Sequence, residues 1–244
     1  MLTIHLFIGL TGLSILWPAV HSLPEQKPSK KVLFIGNSLT AANDLPSMVQ
    51  AISRLPGRTP MECTAITQGG ASLEDHWNAG RVRTEITRQK WDFVVLQQGP
   101  SSLDDSRKNL RAFVKVYDPE IRRAGGRTAL YMVWPEKARF SMFQRVSDSY
   151  RIAAEDVTGL LLPAGDAWIA AWKLKPDLPL YGPDNFHPSE TGSLLAALVV
   201  YRGLSGDAKI ACPQTLKLAN GHMFRLNETE PKILTRAVQN IGKK

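Results

Sequence analysis

Short apolar runs alternate with amphipathic stretches along most of this chain. Residues 32–35, 62–67, 93–97, 128–134 and 160–162 are brief and mostly apolar, with the length and composition of buried strands. Between them, residues 45–54, 72–79, 104–123, 141–156 and 167–173 mix apolar with charged positions and are predicted to be helices. Short strands separated by helices imply a parallel sheet covered on both faces, so the predicted fold class is α/β, doubly wound, with about five strands. In such sheets a ligand sits beyond the carboxyl ends of the strands, where strand order reverses. A helix over 189–202 follows, with Pro188 suited to its first turn, where a missing N–H costs nothing. A last helix over 230–241 carries Ile233, Leu234, Ala237, Val238 and Ile241 at helical spacing.

The first strand breaks at Gly36-Asn37-Ser38. Alone, that tripeptide suits many strand-to-helix turns for backbone reasons. Near the other end, Asp184-Asn-Phe-His187-Pro188 supplies a carboxylate and an imidazole. A serine hydroxyl is a weak nucleophile at neutral pH; it needs an imidazole to take its proton and a carboxylate to orient that imidazole. Three-residue spacing on a tight turn can set the carboxylate against Nδ1 and leave Nε2 facing the serine. The alternative is that Asp184 merely stabilises the turn and His187 caps the helix. Set at opposite ends of one α/β chain, Ser38, Asp184 and His187 are the expected catalytic residues, in that order along the sequence.

Other side chains compete for a role. Asp166, after the fifth strand, could act as a rival acid, tie down a loop or touch the substrate. Trp134, Trp168 and Trp172 could offer flat faces for sugar stacking or belong to the core. His76, on the 72–79 helix, reads as a surface or half-buried residue. Gly69-Gly70 lacks the surrounding pattern of a nucleotide-phosphate loop, which disfavours nucleotide binding.

Composition narrows the setting. At 244 residues, 43% hydrophobic and 21% charged, the chain is long enough for one sizeable core. The net charge is +8, but Lys and Arg are scattered without a run longer than two, so a solvated basic surface is expected rather than a nucleic-acid site. Residues 1–22 contain no Lys, Arg, Asp or Glu; an apolar run from Leu2 to Trp17 precedes Pro18-Ala-Val20-His-Ser22. That pattern predicts a signal peptide over 1–22, a lead-in over 23–30, one domain over 31–244 and a secreted or periplasmic location, with no stable membrane span once the leader is removed. An uncleaved anchor is the alternative. Cys63 and Cys212 could form one disulfide or remain buried thiols, and neither has a Cys or His at zinc-ligand spacing. No metal or organic cofactor is expected.

These residues resemble the SGNH or GDSL-like hydrolases, esterases and lipases on a flavodoxin-like three-layer α/β/α sheet. In that family the serine after the first strand is the nucleophile, and an Asp-x-x-His pair in the last block completes the triad. A glycine after the second strand and an asparagine after the third help form the oxyanion hole. The resemblance spans residues 31–203. It matches at Ser38, at Asp184 and His187, and at Gly70. After the third strand, Gln97-Gln98-Gly99-Pro-Ser101-Ser102 contains no asparagine. The resemblance then implies that Ser101 takes its place or that the Gln98 amide reaches in, with Gln98 preferred, beside the backbone N–H groups of Ser38 and Gly70. Asn37, Trp134 and Asp166 are the side chains expected to meet substrate. The activity implied is ester hydrolysis on a small-molecule or carbohydrate ester, acetyl esters foremost. The rivals are a lipase or lysophospholipase of the same fold and a non-catalytic carbohydrate-binding protein on this scaffold.

Overall fold

The computed structural model describes Leu2 and residues 27–242. Apart from Leu2, the expected leader lies outside the described residues, as do residues 23–26 of the lead-in.

Five strands form one parallel sheet: β1 (Lys30–Gly36), β2 (Met61–Thr67), β3 (Phe93–Leu96), β4 (Arg127–Met132) and β5 (Leu160–Pro163), in the order β2-β1-β3-β4-β5. Burial explains the sequence pattern. Val32 to Ile35 on β1 and Val94 to Leu96 on β3 are wholly enclosed, as expected of central strands covered on both faces. Edge strand β2 is instead buried only at Met61 and Ile66, its other positions being exposed or half-buried. Helices α2 (Leu45–Ser53) and α8 (Glu190–Ser205) pack together, as do α5 (Asp104–Arg123) and α6 (Phe143–Asp156). The result is a three-layer α/β/α fold. Helix α8 is buried along most of its length, which is why its sequence is apolar nearly all round rather than amphipathic.

The topology fixes where a site can form. From β1 the chain runs to β2 on one side, then crosses to β3 on the other, so strand order reverses at β1. The register sets Gly36 beside Thr67 and Ile35 beside Leu96, so the segments leaving β1, β2 and β3 emerge side by side at the carboxyl edge.

Several elements differ from the sequence expectation. The helix expected at 167–173 begins at once after β5, as α7 (Ala164–Leu174), and the one expected at 141–156 is preceded by a 3-10 turn, Lys137–Met142. The predicted 72–79 helix is α3 (Leu73–Asn78), with Ser72 and Asp75 forming a capping box. Helix α1 (Ser38–Ala41) and helix α4 (Arg81–Arg88), which buries only Val82 and Ile86, were not anticipated. Nor was the antiparallel pair β6 (Thr215–Lys217) and β7 (Met223–Arg225), whose three-residue strands are too short to carry an alternating pattern. Pro188 lies outside α8: it bridges to Tyr181, and Ser189 caps the helix by accepting from the Gly192 N–H at 3.0 Å. The last helix, α9 (Glu230–Asn240), matches the expectation to within a residue. Cys63 and Cys212 are both free thiols, each pushed up to about 12 by burial.

Candidate active site

Ser38 is delivered by a tight turn at the end of β1. Asn37 keeps an extended backbone and caps α1, its Oδ1 accepting from the Leu39 N–H at 3.1 Å. A side chain on Gly36 would run into the Thr40 hydroxyl and the Gln97 amide, so glycine is required there by close approach. Gln97 is completely buried and serves this turn with its whole amide. Its Oε1 accepts from the Asn37 N–H at 2.9 Å and from the Thr40 hydroxyl at 2.6 Å; its Nε2 donates to Asn37 Oδ1 at 2.9 Å and to the Gln98 carbonyl at 2.5 Å. From α3, His76 Nε2 donates to the Gly36 carbonyl at 2.8 Å; a carbonyl can only accept, so this nitrogen carries the proton. His76 is therefore buried, against the surface or half-buried placement expected for it, because it fastens the turn.

The second half of the site is a compact loop before α8. The Gly182 N–H donates to the His187 carbonyl at 2.7 Å, and Asn185 takes a left-handed backbone, φ 59°, at the bend. Asp184 Oδ1 accepts from the N–H groups of Phe186 and His187 at 3.0 and 2.9 Å. Its Oδ2 meets His187 Nδ1 at 2.5 Å, and His187 Nε2 lies 2.8 Å from Ser38 Oγ. The ionised carboxylate accepts the Nδ1 proton, which leaves Nε2 as an acceptor for the serine hydroxyl. The ring's hydrogen bond, followed by that from the Phe186 N–H, holds the Asp184 carboxyl down to about 2. The structure thus brings Ser38, His187 and Asp184 into one hydrogen-bonded row, although the first and last of these segments stand far apart in sequence.

The row opens onto a cavity of about 550 Å³ lined by Ser38, Gly70, Ser72, Asn109, Arg139 and Phe186 among others, a volume within the usual range for small-molecule sites. Gly70 has φ 71° in open space, so it is its backbone conformation that calls for glycine. Asn37 also borders the cavity, yet its Nδ2 is spent on the Ala71 carbonyl at 3.2 Å, tying the β1 turn to the loop after β2.

Four expected roles need correction. The Gln98 amide does not reach toward the serine as a free donor: its Nε2 is bonded to Ser101 Oγ at 3.0 Å and to the Ser106 carbonyl at 3.2 Å, while its Oε1 accepts from the Leu73 N–H at 3.2 Å. The Ser101 hydroxyl donates to the Gly99 carbonyl at 3.1 Å, so it too is engaged within its own loop, where Ser101 takes a left-handed φ of 55°. Trp134 is fully buried, stacked on Trp168 at 3.6 Å between ring centroids and donating Nε1 to the Phe186 carbonyl; neither ring has a face left for a sugar. Asp166 sits on α7, accepting from the Ser147 hydroxyl of α6 at 3.1 Å, and is not part of the cavity wall.

Among the described residues, no three His, Cys, Asp or Glu side chains gather as a metal site, and no helix is long and apolar enough to cross a membrane.

No protein-family model and no curated protein sequence matches the chain. Solved structures do. A protein from Slackia heliotrinireducens described as an SGNH hydrolase superposes with a TM-score of 0.63 at 26% identity, over 72% of this chain and 100% of its own. A DUF4886 family protein from Bacteroides uniformis gives 0.68 at 20% identity over 87% and 94% of the two chains. An acetylxylan esterase from Geobacillus stearothermophilus gives 0.55 at 18% identity over 73% and 95%. The last two speak to the fold alone. The strand order, the Ser38 turn at its switch point and the Slackia neighbour agree: the chain is a hydrolase of the SGNH/GDSL-like superfamily.

Proposed function

We propose that the protein is a secreted serine esterase that hydrolyses small acyl groups, acetyl foremost, from carbohydrate. The observation that carries the reading is the unbroken row from Asp184 through His187 to Ser38, at 2.5 and 2.8 Å, beside an open cavity. Ser38 Oγ attacks the ester carbonyl as His187 Nε2 takes its proton; Asp184 keeps the ring in the productive tautomer and stabilises the imidazolium. The backbone N–H groups of Ser38 and Gly70 stabilise the tetrahedral oxyanion. His187 then gives its proton to the departing alcohol, and the same ring activates water to free the acyl group.

Ser72, Ser102, Ser106 and Asn109 on the cavity wall suit a hydroxyl-rich substrate better than a long acyl chain. The acetylxylan esterase with the same fold adds weight to that choice, and the charge-free apolar segment over 2–17 supports export. Turnover of p-nitrophenyl acetate should exceed that of the decanoate ester, and S38A should lower it by about 10⁴- to 10⁶-fold. A preference for decanoate would sink the acetylesterase reading, and unchanged turnover in S38A would sink the triad. Amino-terminal sequencing of the exported protein tests removal of residues 1–22.

A further inference from the structure

Each half of the reactive row is braced within itself. Gln97 and His76 hold the Ser38 turn, and Asp184 with the 180–189 backbone holds the His187 loop. Neither set of braces fixes one half against the other. Between residues 37–44 and residues 179–193, the Ser38–His187 bond is one of three side-chain hydrogen bonds among the described residues. The other two come from one amide: Asn43 Nδ2 donates to the Pro188 carbonyl at 3.1 Å and to Ser193 Oγ at 2.9 Å. Because the Pro188 carbonyl can only accept, the amide nitrogen must face it. Pro188 adjoins His187, and Ser193 is fully buried in the first turn of α8.

The backbone is shaped to make this reach. Asn43 and Asp44 are consecutive non-glycine residues in left-handed conformation, φ 52° and 53°, at the kink between α1 and α2. Asparagine and aspartate are the residues that tolerate this region best, and two in a row form a sharp bend that other side chains would strain. The bend turns the Asn43 amide back toward the His187 loop.

We propose that Asn43 is a positioning residue that sets the separation of Ser38 and His187 by clamping the serine turn to the Pro188 carbonyl and the start of α8. The proposal rests on the esterase reading for its kinetic consequence, though not for its geometry. Asn43 touches neither the nucleophile nor the cavity; it acts through the spacing of two loops.

Three variants separate this role from simple stability. N43G deletes the amide and keeps the left-handed bend without strain. N43D keeps the size and the bend, yet sets a carboxylate oxygen against the Pro188 carbonyl. S193A removes one of the two acceptors. With p-nitrophenyl acetate, N43G should lose about tenfold to hundredfold in kcat with KM within about twofold, the cost of a small misplacement between reacting groups. N43D should fall at least as far and S193A less far, all with native circular dichroism at the assay temperature. In crystals of N43G the distance from Ser38 Oγ to His187 Nε2 should open beyond about 3.5 Å. Wild-type kcat in folded N43G, or an unchanged distance in its crystals, would overturn the proposal. Should N43G not fold, wild-type kcat in folded N43D would do the same. If the unmodified protein turns over no ester, the esterase reading falls, while the crystallographic distance still decides the role of Asn43.

Discussion

Replacing Gln97 with leucine should weaken the fold by about 1–3 kcal/mol, and the figure follows from which partners are orphaned. Leucine fills similar space, so no large cavity opens at this fully buried position. All four side-chain bonds of Gln97 are lost, yet most partners have somewhere else to turn. Asn37 Oδ1 keeps the Leu39 N–H at 3.1 Å, and the Gln98 carbonyl keeps the Tyr150 hydroxyl at 2.6 Å. The Thr40 hydroxyl can rotate. The Asn37 N–H cannot, and it is left buried without an acceptor, which sets the magnitude. A total stability of roughly 5–15 kcal/mol leaves the protein folded, so kcat can be measured on native enzyme. It should drop, because the lost bond anchors the residue next to Ser38. Q97E makes the comparison sharper. Glutamate can still accept from the Asn37 N–H, but it puts a carboxylate against Asn37 Oδ1 and the Gln98 carbonyl, both acceptors. Near pH 8, Q97E should therefore be less stable than Q97L, with the gap closing toward pH 5 as the buried carboxyl takes a proton. Urea unfolding followed by circular dichroism measures both. A Q97L protein within about 0.5 kcal/mol of the parent, or Q97E more stable than Q97L near pH 8, would refute the assignment of Gln97 as the brace of this turn.

D184N keeps an acceptor for the Phe186 and His187 N–H groups but turns an amide toward Nδ1, favouring the wrong tautomer; kcat for p-nitrophenyl acetate should fall by about 10⁴-fold while circular dichroism near pH 7 stays native. Because the Asp184 carboxyl is held down to about 2 in the folded protein, below the unfolded value of about 3.9, its contribution to stability is fully present above the unfolded value and is lost as pH falls through about 2; a titration of its carboxyl carbon by NMR showing a midpoint at or above the unfolded value would contradict this. Burial acts oppositely on Asp166, raising its carboxyl, so the folded state binds more protons than the unfolded one above the unfolded value, and stability falls as pH rises through that window. D166N retains an acceptor for the Ser147 hydroxyl without the charge, so it should melt higher than the parent near pH 7, with the difference fading toward pH 3; a lower melting temperature near pH 7 would contradict the desolvation argument.

The sheet was readable because its central strands are enclosed on both faces. A run such as Val-Leu-Phe-Ile on β1 has little alternative to being a buried strand, and the alternation with helices implied the parallel order. Helix α4 escaped because two apolar residues four apart, in a highly charged octapeptide, make too thin a stripe to register. The unpredicted bend at Asn43-Asp44 has a similar cause. Both residues are common in turns, but nothing local says that the amide will find an acceptor some 145 positions away.

The same distinction divides the site. Asp184 and His187 were legible because their bond, at 2.5 Å, is built within a single turn, so that spacing alone encodes it. The bonding of Gln98 is not legible in the same way, because its neighbours in sequence do not choose its partners. Ser106 lies on α5 and Leu73 on α3, while the Tyr150 hydroxyl of α6 accepts from the Gln98 N–H at 3.2 Å. Three helices therefore hold the loop after β3, and its side-chain donors are consumed in joining them. A position matched by motif to an oxyanion donor has become a structural fastening, and Gln97, one residue earlier and outside the motif, carries the bracing of the nucleophile turn. Of the donors expected at the oxyanion, that leaves the backbone N–H groups of Ser38 and Gly70. Both belong to turns whose geometry depends on the Gln97 and Asn37 bonds across strand ends. In the proposed mechanism, reactivity at Ser38 then rests less on any one donor side chain than on how firmly the segments leaving β1, β2 and β3 are tied to one another.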